Sequence, residues 1–248
     1  MRIALLTDIH GNLAALAAVV ADLARRAVDR VVTLGDQVSG PLLPRETADF
    51  LIAQPWQNIA GNHERQLLAC DTRTAGQSDR YALEHLTPAQ LDWLRGLPSR
   101  LALDGDVLLC HGTPVSPCDY LLDTVEHGRL RLASAAEIES RLAGVNAAVV
   151  ACGHSHLPRV ARTGRGQLLV NPGSVGLPAY EDATSPHHVV ETGSPDARYA
   201  VLEVTGGAWT AALFAVPYDF EAMAKLAESN GRPDWAYPLR TGYVLPAR

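Results

Sequence analysis

The 248-residue chain reads as an α/β protein with two stacked β-sheets, and three observations lead there. Short apolar runs alternate with helix-patterned segments over the first sixty residues, a β-α-β-α-β rhythm that requires parallel pairing and crossover helices. Five apolar runs lead directly into metal-ligand residue types: IALL into Thr7-Asp8-Ile9-His10, VVTL into Gly35-Asp36, NIA into Gly61-Asn62-His63-Glu64, VLLC into His111, and AAVVAC into Gly153-His154-Ser155-His156. Near the C-terminus, two segments alternate about Gly206-Gly207 as antiparallel strands do. In open α/β sheets, ligands gather beyond the carboxyl ends of the strands, so these distant Asp, Asn and His residues are expected to meet.

Residues 2–7 form the first expected strand. Residues 12–26 follow as a helix, with Asn12 placed to cap it and Arg25-Arg26 in its last turn. A strand over 30–35, a helix over 44–54 that ends before Pro55, and a strand over 56–60 complete the opening pattern. Thr87, Pro88 and Gln90 carry the signature of a capping box at a helix start. Segments 100–104 and 106–111 read as a hairpin about Asp104-Gly105, and 113–124 as a Pro-containing loop. A helix over 134–143 and a strand over 146–152 come next, then a hairpin over 157–170 turning at residues 163–166. Residues 180–197 are rich in turn formers and read as an exposed loop. Strands over 198–205 and 208–216, a helix over 219–229 and an irregular tail finish the chain. With no repeat or linker in view, a single domain over 1–248 is expected.

Apolar residues make up 47% of the chain and charged residues 19%, which suits a packed core. The net charge of −6 argues against a broad nucleic-acid-binding face, although bound cations can still attract a small phosphorylated substrate. Cys70, Cys110, Cys118 and Cys152 include no C-x-x-C pair and read as reduced thiols. Asp8 interrupts the first apolar run too early for a signal peptide, and no segment is apolar enough to span a bilayer. Cytoplasmic localisation is the expectation.

Spacing organises the metal candidates. Asp8 and His10 are two apart, as are His154 and His156, and in extended backbone each pair would point to one side. Asp36 and Asn62 each follow a glycine. Oxygen and imidazole donors suit Mn²⁺, Fe or Zn²⁺ without thiolate help. Seven candidates (Asp8, His10, Asp36, Asn62, His111, His154 and His156) exceed what one ion needs, whereas two ions sharing a carboxylate would use them all.

In the order D-x-H, G-D-Q-V-S-G-P, G-N-H-E, H-G-T-P, G-H-S-H-x-P and N-P-G-S-V-G, the motifs resemble the calcineurin-like metallophosphoesterase superfamily and its compact bacterial and archaeal phosphodiesterase branch. That resemblance implies a four-layer α-β-β-α sandwich of two mixed sheets flanked by helices. It implies two divalent ions, Mn²⁺ foremost with Fe, Zn²⁺, Ni²⁺ or Mg²⁺ as alternatives. One would be held by Asp8, His10 and His156, the other by Asn62, His111 and His154, with Asp36 bridging. A hydroxide between the ions would attack phosphorus in one in-line step, with His63 beside the metals stabilising phosphoryl oxygens or protonating the leaving oxygen. The implied substrate is a small phosphodiester such as a nucleotide, with pyrophosphohydrolase, phosphomonoesterase, protein phosphatase or a non-catalytic scaffold as alternatives. Neither a stable nucleic-acid complex nor a membrane is implied; a homodimer is, by analogy.

The chain departs from the phosphoprotein phosphatase pattern G-D-x-x-D-R-G. Ser39 and Gly40 stand where that pattern has the Asp that orients the catalytic His and the Arg that grips phosphate. The partner that orients His63 is therefore open at this level. Glu64 reads as the opening of a helix, Arg65, Arg73 and Arg80 as solvated, Trp56, Trp93 and Trp235 as fillers, and His85, His127, His187 and His188 as surface or packing residues. Loops 71–80, 113–124 and 180–197 are expected to set specificity.

Overall fold

A computed structural model describes residues 1–69, 76–104, 106–184 and 186–246. The elements run β1 (Arg2–Leu6), α1 (Leu13–Leu23), β2 (Arg30–Thr33), α2 (Pro44–Ile52), β3 (Gln57–Asn58), α3 (Asn62–Ala69), α4 (Gln77–His85), α5 (Pro88–Arg95), β4 (Arg100–Leu103) and β5 (Val107–Cys110). There follow β6 (Asp123–Glu126), β7 (Arg129–Leu132), α6 (Ala135–Leu142), β8 (Val149–Ala151), β9 (Arg159–Arg162) and β10 (Leu168–Asn171). The chain continues through β11 (Ala179–Asp182), β12 (His188–Glu191), β13 (Ala197–Thr205), β14 (Ala208–Val216), α7 (Phe220–Ser229) and α8 (Pro233–Thr241).

Two five-stranded sheets, ordered β14-β13-β1-β2-β3 and β4-β5-β8-β10-β9, form the heart of the molecule. Strands β1, β2 and β3 are parallel, as are β5, β8 and β10. The alternating side chains of β1 show why the sheets stack. Ile3 and Leu5 join Leu109, Ala151 and Val170 between the sheets, while Ala4 and Leu6 face Leu16 and Val19 of α1. On the second sheet, Cys110, Val150 and Leu169 face Ile138 and Leu142 of α6. The resulting α-β-β-α layering is the one expected.

Local signals behave as read. The Asn12 side chain accepts from Ala15 N at 3.1 Å, and Thr87 with Gln90 completes a capping box. Two expectations fail. Residues 180–197 are not a loop: β11 and β12 pair antiparallel and join β7 and β6 in a third, four-stranded sheet. Each of these strands has only four residues and is bracketed by turn formers, so its pattern is too short to register. The tail is not irregular either, because 233–241 forms α8 with Pro233 in its first turn, packed on α7 through Trp235, Ala236 and Leu239. The turn expected at Asp104-Gly105 falls partly outside the described residues, although β4 and β5 do pair antiparallel.

Candidate metal centre

The loops after β1, β2, β3, β5 and β8 converge beyond the carboxyl ends of the parallel strands. Backbone hydrogen bonds stitch them together: Asp8 N to Gly35 O at 3.1 Å, His10 N to Asp36 O at 3.0 Å, and Gly153 N to His111 O at 2.7 Å. The stretch N-P-G-S lies behind the site. Asn171 Nδ2 donates to Gly153 O at 2.7 Å and Ser174 Oγ to Asp8 O at 2.8 Å, so this turn braces two ligand loops. It lies outside the set of residues lining the adjoining cavity. Gly176 passes so close that a Cβ there would sit 1.8 Å from Ile9 O.

Asp8, His10 and His156 form one group and Asp36, His111 and His154 another, each with ligand atoms all within 4.8 Å of one another. Asn62 Oδ1 lies 2.9 Å from His111 Nε2, adding the carboxamide to the second group. Asp36 Oδ2 lies 3.2 Å from His111 Nε2 and 4.0 Å from His10 Nε2, so it reaches both groups. The seven sequence-selected residues therefore meet. Extended backbone is not what brings them together, however. Strand β1 ends at Leu6, and Asp8 and His10 are left-handed at φ 53° and 52° rather than extended. His154 and His156, at φ 68° and 56°, do not aim at one place but divide between the two groups. Among the described residues, five of the nine non-glycine positions with positive φ are these candidates (Asp36 is the fifth). Strain of this kind persists only where the surroundings enforce it.

Histidine orientation follows from second partners. His10, His111 and His156 each donate Nδ1–H to a backbone carbonyl, of Ser39, Leu34 and Leu177 respectively, all at 2.7 Å. Their Nε2 atoms therefore face the centre. His154 is reversed: Nε2–H donates to Cys118 O at 3.0 Å, leaving Nδ1 as its ligand atom. The carboxylates share a design. One oxygen of each accepts a backbone N–H, Asp8 Oδ2 from His154 at 3.1 Å and Asp36 Oδ1 from His63 at 3.0 Å, and the other points inward.

That arrangement suits cations. Asp8 Oδ1 is buried without a hydrogen-bond partner, and the Nε2 atoms of His10 and His156 face each other at 3.2 Å. With both Nδ1 atoms protonated, two lone pairs point at a shared space, a contact that a positive charge relieves. Burial lowers His10 to about 4, helped by neighbouring His156. His154 is likewise lowered to about 4 by burial and by His111. Burial opposes ionisation of Asp8, but His156 and His111 outweigh it and hold the carboxyl at about 2. His111 resists the effect of burial because Asp36 and Asp8 raise it to about 10.

Glu64 does more than open α3. It is buried, and its carboxylate accepts from Asp36 N, Gln37 N and Gly61 N at 2.8, 2.8 and 2.7 Å, clamping the loops that carry Asp36 and Asn62. His63 lies beside the groups. Its Nδ1–H donates to Asp79 Oδ1 at 2.8 Å, and the same oxygen accepts from Ser39 Oγ at 2.6 Å. Burial would depress His63, but Asp36 and Asp79 raise it to about 9. Asp79 is thus the orienting group left open by sequence. No motif marks it, because it comes from α4 rather than from the G-D stretch.

A cavity of about 550 Å³ opens over His10, Asp36, Asn62, His63, His154 and His156. The lining is drawn from three stretches of chain besides: Gln66, Gly76 and Ser78, then Tyr120 and Tyr180 to Thr184, then Arg232, Trp235 and Leu245. Each of the three loops expected to set specificity contributes, and the C-terminal stretch adds residues that no sequence signal points to. Trp235 is more than a filler, for its ring meets His10 edge-on at 5.9 Å. His188 takes the packing alternative: it is buried and bonded through Nε2 to the Tyr120 hydroxyl at 2.8 Å. Arg65 turns toward Cys118 Sγ at 2.9 Å, and neither it nor Arg80 lines the cavity; Arg73 and Cys70 lie outside the described residues. Cys110 and Cys152 are buried free thiols, whereas Cys118 is exposed. No described helix is long and apolar enough to cross a membrane.

Comparison with known proteins agrees with this geometry. An uncharacterized protein of Methanocaldococcus jannaschii is 24% identical over 263 residues, covering 94% of each chain. The crystal structure of a metallophosphoesterase from Sphaerobacter thermophilus superposes with a TM-score of 0.74 at 25% identity, covering 96% of this chain and 98% of that one. The calcineurin-like phosphoesterase superfamily domain matches residues 1–195, with all seven clustered residues and His63 inside the match. The chain belongs to the calcineurin-like phosphoesterase superfamily.

Proposed function

We propose that this protein is a dinuclear-metal phosphoesterase acting on phosphodiesters. The observation that carries the reading is the pair of ligand groups joined by Asp36, with Asp8 Oδ1 buried and unpartnered between imidazoles. Asp8, His10 and His156 would hold one ion, and Asn62, His111 and His154 the other. The donors are oxygen and imidazole, which favours Mn²⁺, with Fe, Zn²⁺, Ni²⁺ and Mg²⁺ as alternatives. Two such ions supply a lowered pKa for the attacking water and a clamp on the phosphoryl oxygens.

The chain's own side chains do the rest. Asp79 fixes the His63 ring with Nδ1–H toward the carboxylate, so Nε2 is presented to the cavity. There it protonates the leaving oxygen or donates to a phosphoryl oxygen. Ser39 holds Asp79 in turn, so a chain of three side chains aims one proton. The diester preference is supported at Gly40. A side chain there would collide with Trp235, its Cβ falling 2.8 Å from Cη2, so no residue at this position can grip a dianionic monoester.

The test compares bis(p-nitrophenyl) phosphate with p-nitrophenyl phosphate in Mn²⁺, alongside elemental analysis of wild type and Asp36→Ala. Diester turnover that exceeds monoester turnover, and that disappears together with bound metal in the variant, is expected. A monoester preference would overturn the diester assignment, and a wild-type protein that binds no metal would revive the scaffold alternative.

A further inference from the structure

We infer that Arg232 is a specificity-determining residue that receives a second, non-scissile phosphate on the leaving side of the substrate. The substrate class is then a phosphoanhydride diester, in which one ester arm of the attacked phosphorus is itself a phosphate. This rests on the phosphoesterase reading above.

Among the described residues that line the cavity, Arg232 is the sole Arg or Lys. It lies outside the segment matched by the superfamily domain, immediately before α8. Its side chain is only 13% exposed, so the guanidinium is held in the wall rather than extended into solvent. The hold is specific. Nη1 donates to Ser78 Oγ at 3.1 Å, Nη2 and Nε donate to Asp234 Oδ2 and Oδ1 at 2.6 and 2.9 Å, and the guanidinium lies 5.7 Å from the Trp235 ring. Ser78 adjoins Asp79, whose carboxylate orients His63. The cation is therefore tied through Ser78 to α4, the helix whose Asp79 orients the proposed leaving-group acid. An anion held there would be part of what departs.

The cavity also carries carboxylates, and these are already engaged: Glu181 with His187 at 2.6 Å, Asp182 with Thr184 N at 2.8 Å, and Asp234 with Arg232 itself. Among the described lining residues, Arg232 is therefore the cation that a further phosphate would meet. Guanidinium matches a phosphate with two parallel N–H donors, and Asp234 and Ser78 are the partners the phosphate would displace. The step balances: water oxygen bonds to phosphorus, the bridging P–O bond breaks, and the departing phosphate carries the electron pair, with His63 supplying a proton where one is needed.

The experiment measures kcat/KM for UDP-glucose, which has a diphosphate bridge, and for bis(p-nitrophenyl) phosphate, which has no second anion. Wild type, Arg232→Met and Arg232→Lys are compared as metal-loaded protein. The expected result is a drop in the UDP-glucose to bis(p-nitrophenyl) phosphate ratio of on the order of 10-fold to 100-fold in Arg232→Met, partly restored in Arg232→Lys. Calorimetry supplies a readout independent of turnover. Binding of uridine 5′-(α,β-methylene)diphosphate should weaken in Arg232→Met by more than binding of UMP. Asp234→Asn, which frees the guanidinium, should strengthen it. Equal losses for both substrates, no change in the ratio, or weakening in Asp234→Asn as well would overturn the inference. Hydrolysis of the aryl diester without binding of the methylene diphosphate would overturn it too while sparing the phosphoesterase reading; loss of aryl diester hydrolysis in wild type would remove that reading itself.

Discussion

The metal cradle and the outer wall of the cavity are built by opposite rules. Each cradle residue is placed by the end of a core strand, within a few residues of a buried apolar run. Each wall segment is placed instead by how a helix or short strand packs on its neighbours: α4 against α3, β11 in a small third sheet, and α8 on α7. The cradle is over-determined. Asp36 alone is fixed by a loop-to-loop backbone bond from His10 N, by Glu64 on its own amide and by His63 N on its carboxylate. The wall is held by few polar contacts, such as Arg232 to Ser78 and Asn230 to Tyr81, over an apolar base of Leu177, Met223 and Trp235. The difference teaches that the reaction type belongs to the strands and the substrate to whatever packs around them.

That division can be broken at several places. The largest effect is expected in the cradle. His111→Ala should take aryl diester hydrolysis to background and reduce bound metal, with metal content by elemental analysis as the check; full metal retention would detach His111 from the second site. In the wall, Trp235→Ala removes a buried indole and should cost about 3 kcal/mol of stability in denaturant unfolding while leaving metal content intact. Metal loss in that variant would show that the wall, through its edge contact with His10, also supports the cradle.

Asp79→Ala lies at the junction of the two regions. Removing the His63 partner should lower kcat by on the order of 10²-fold with little change in KM, since His63 would lose its orientation and not its contact with substrate. An equal rise in KM would instead make Asp79 part of substrate binding. The smallest effect lies away from both regions and serves as a control. Asp22 is held at about 2 by Arg26 and the Tyr199 hydroxyl. Its folded value is depressed, so the stabilisation is present above about pH 4 and is lost as pH falls toward 2. Asp22→Asn should cost about 2 kcal/mol at neutral pH, flatten the acid limb of the unfolding curve over that window, and leave metal content unchanged.

How far the chain could be read follows the same line. Asp8, His10, Asp36, Asn62, His111, His154 and His156 were legible because each sits at a fixed offset from a strand, and strands announce themselves by composition. Asn12 and the Thr87–Gln90 box were legible because capping is local. Asp79 was not, since its value to His63 depends on where α4 comes to rest. Glu64 looked like an ordinary first-turn acid, and only the approach of three amides from two loops gives it its task. The left-handed backbone at the ligands was hidden too, because side-chain identity does not report a conformation that neighbouring loops impose.

The sequence by itself determined the α/β layering, the seven residues of the cradle and the chemistry their donor atoms suit, because strand periodicity and ligand type are local properties. The tertiary structure alone decided which nitrogen each histidine offers, what aims His63, and that α8 closes the cavity with Arg232 and Trp235. Those outcomes depend on contacts between segments far apart in the chain, whose energies arise only once the sheets have stacked.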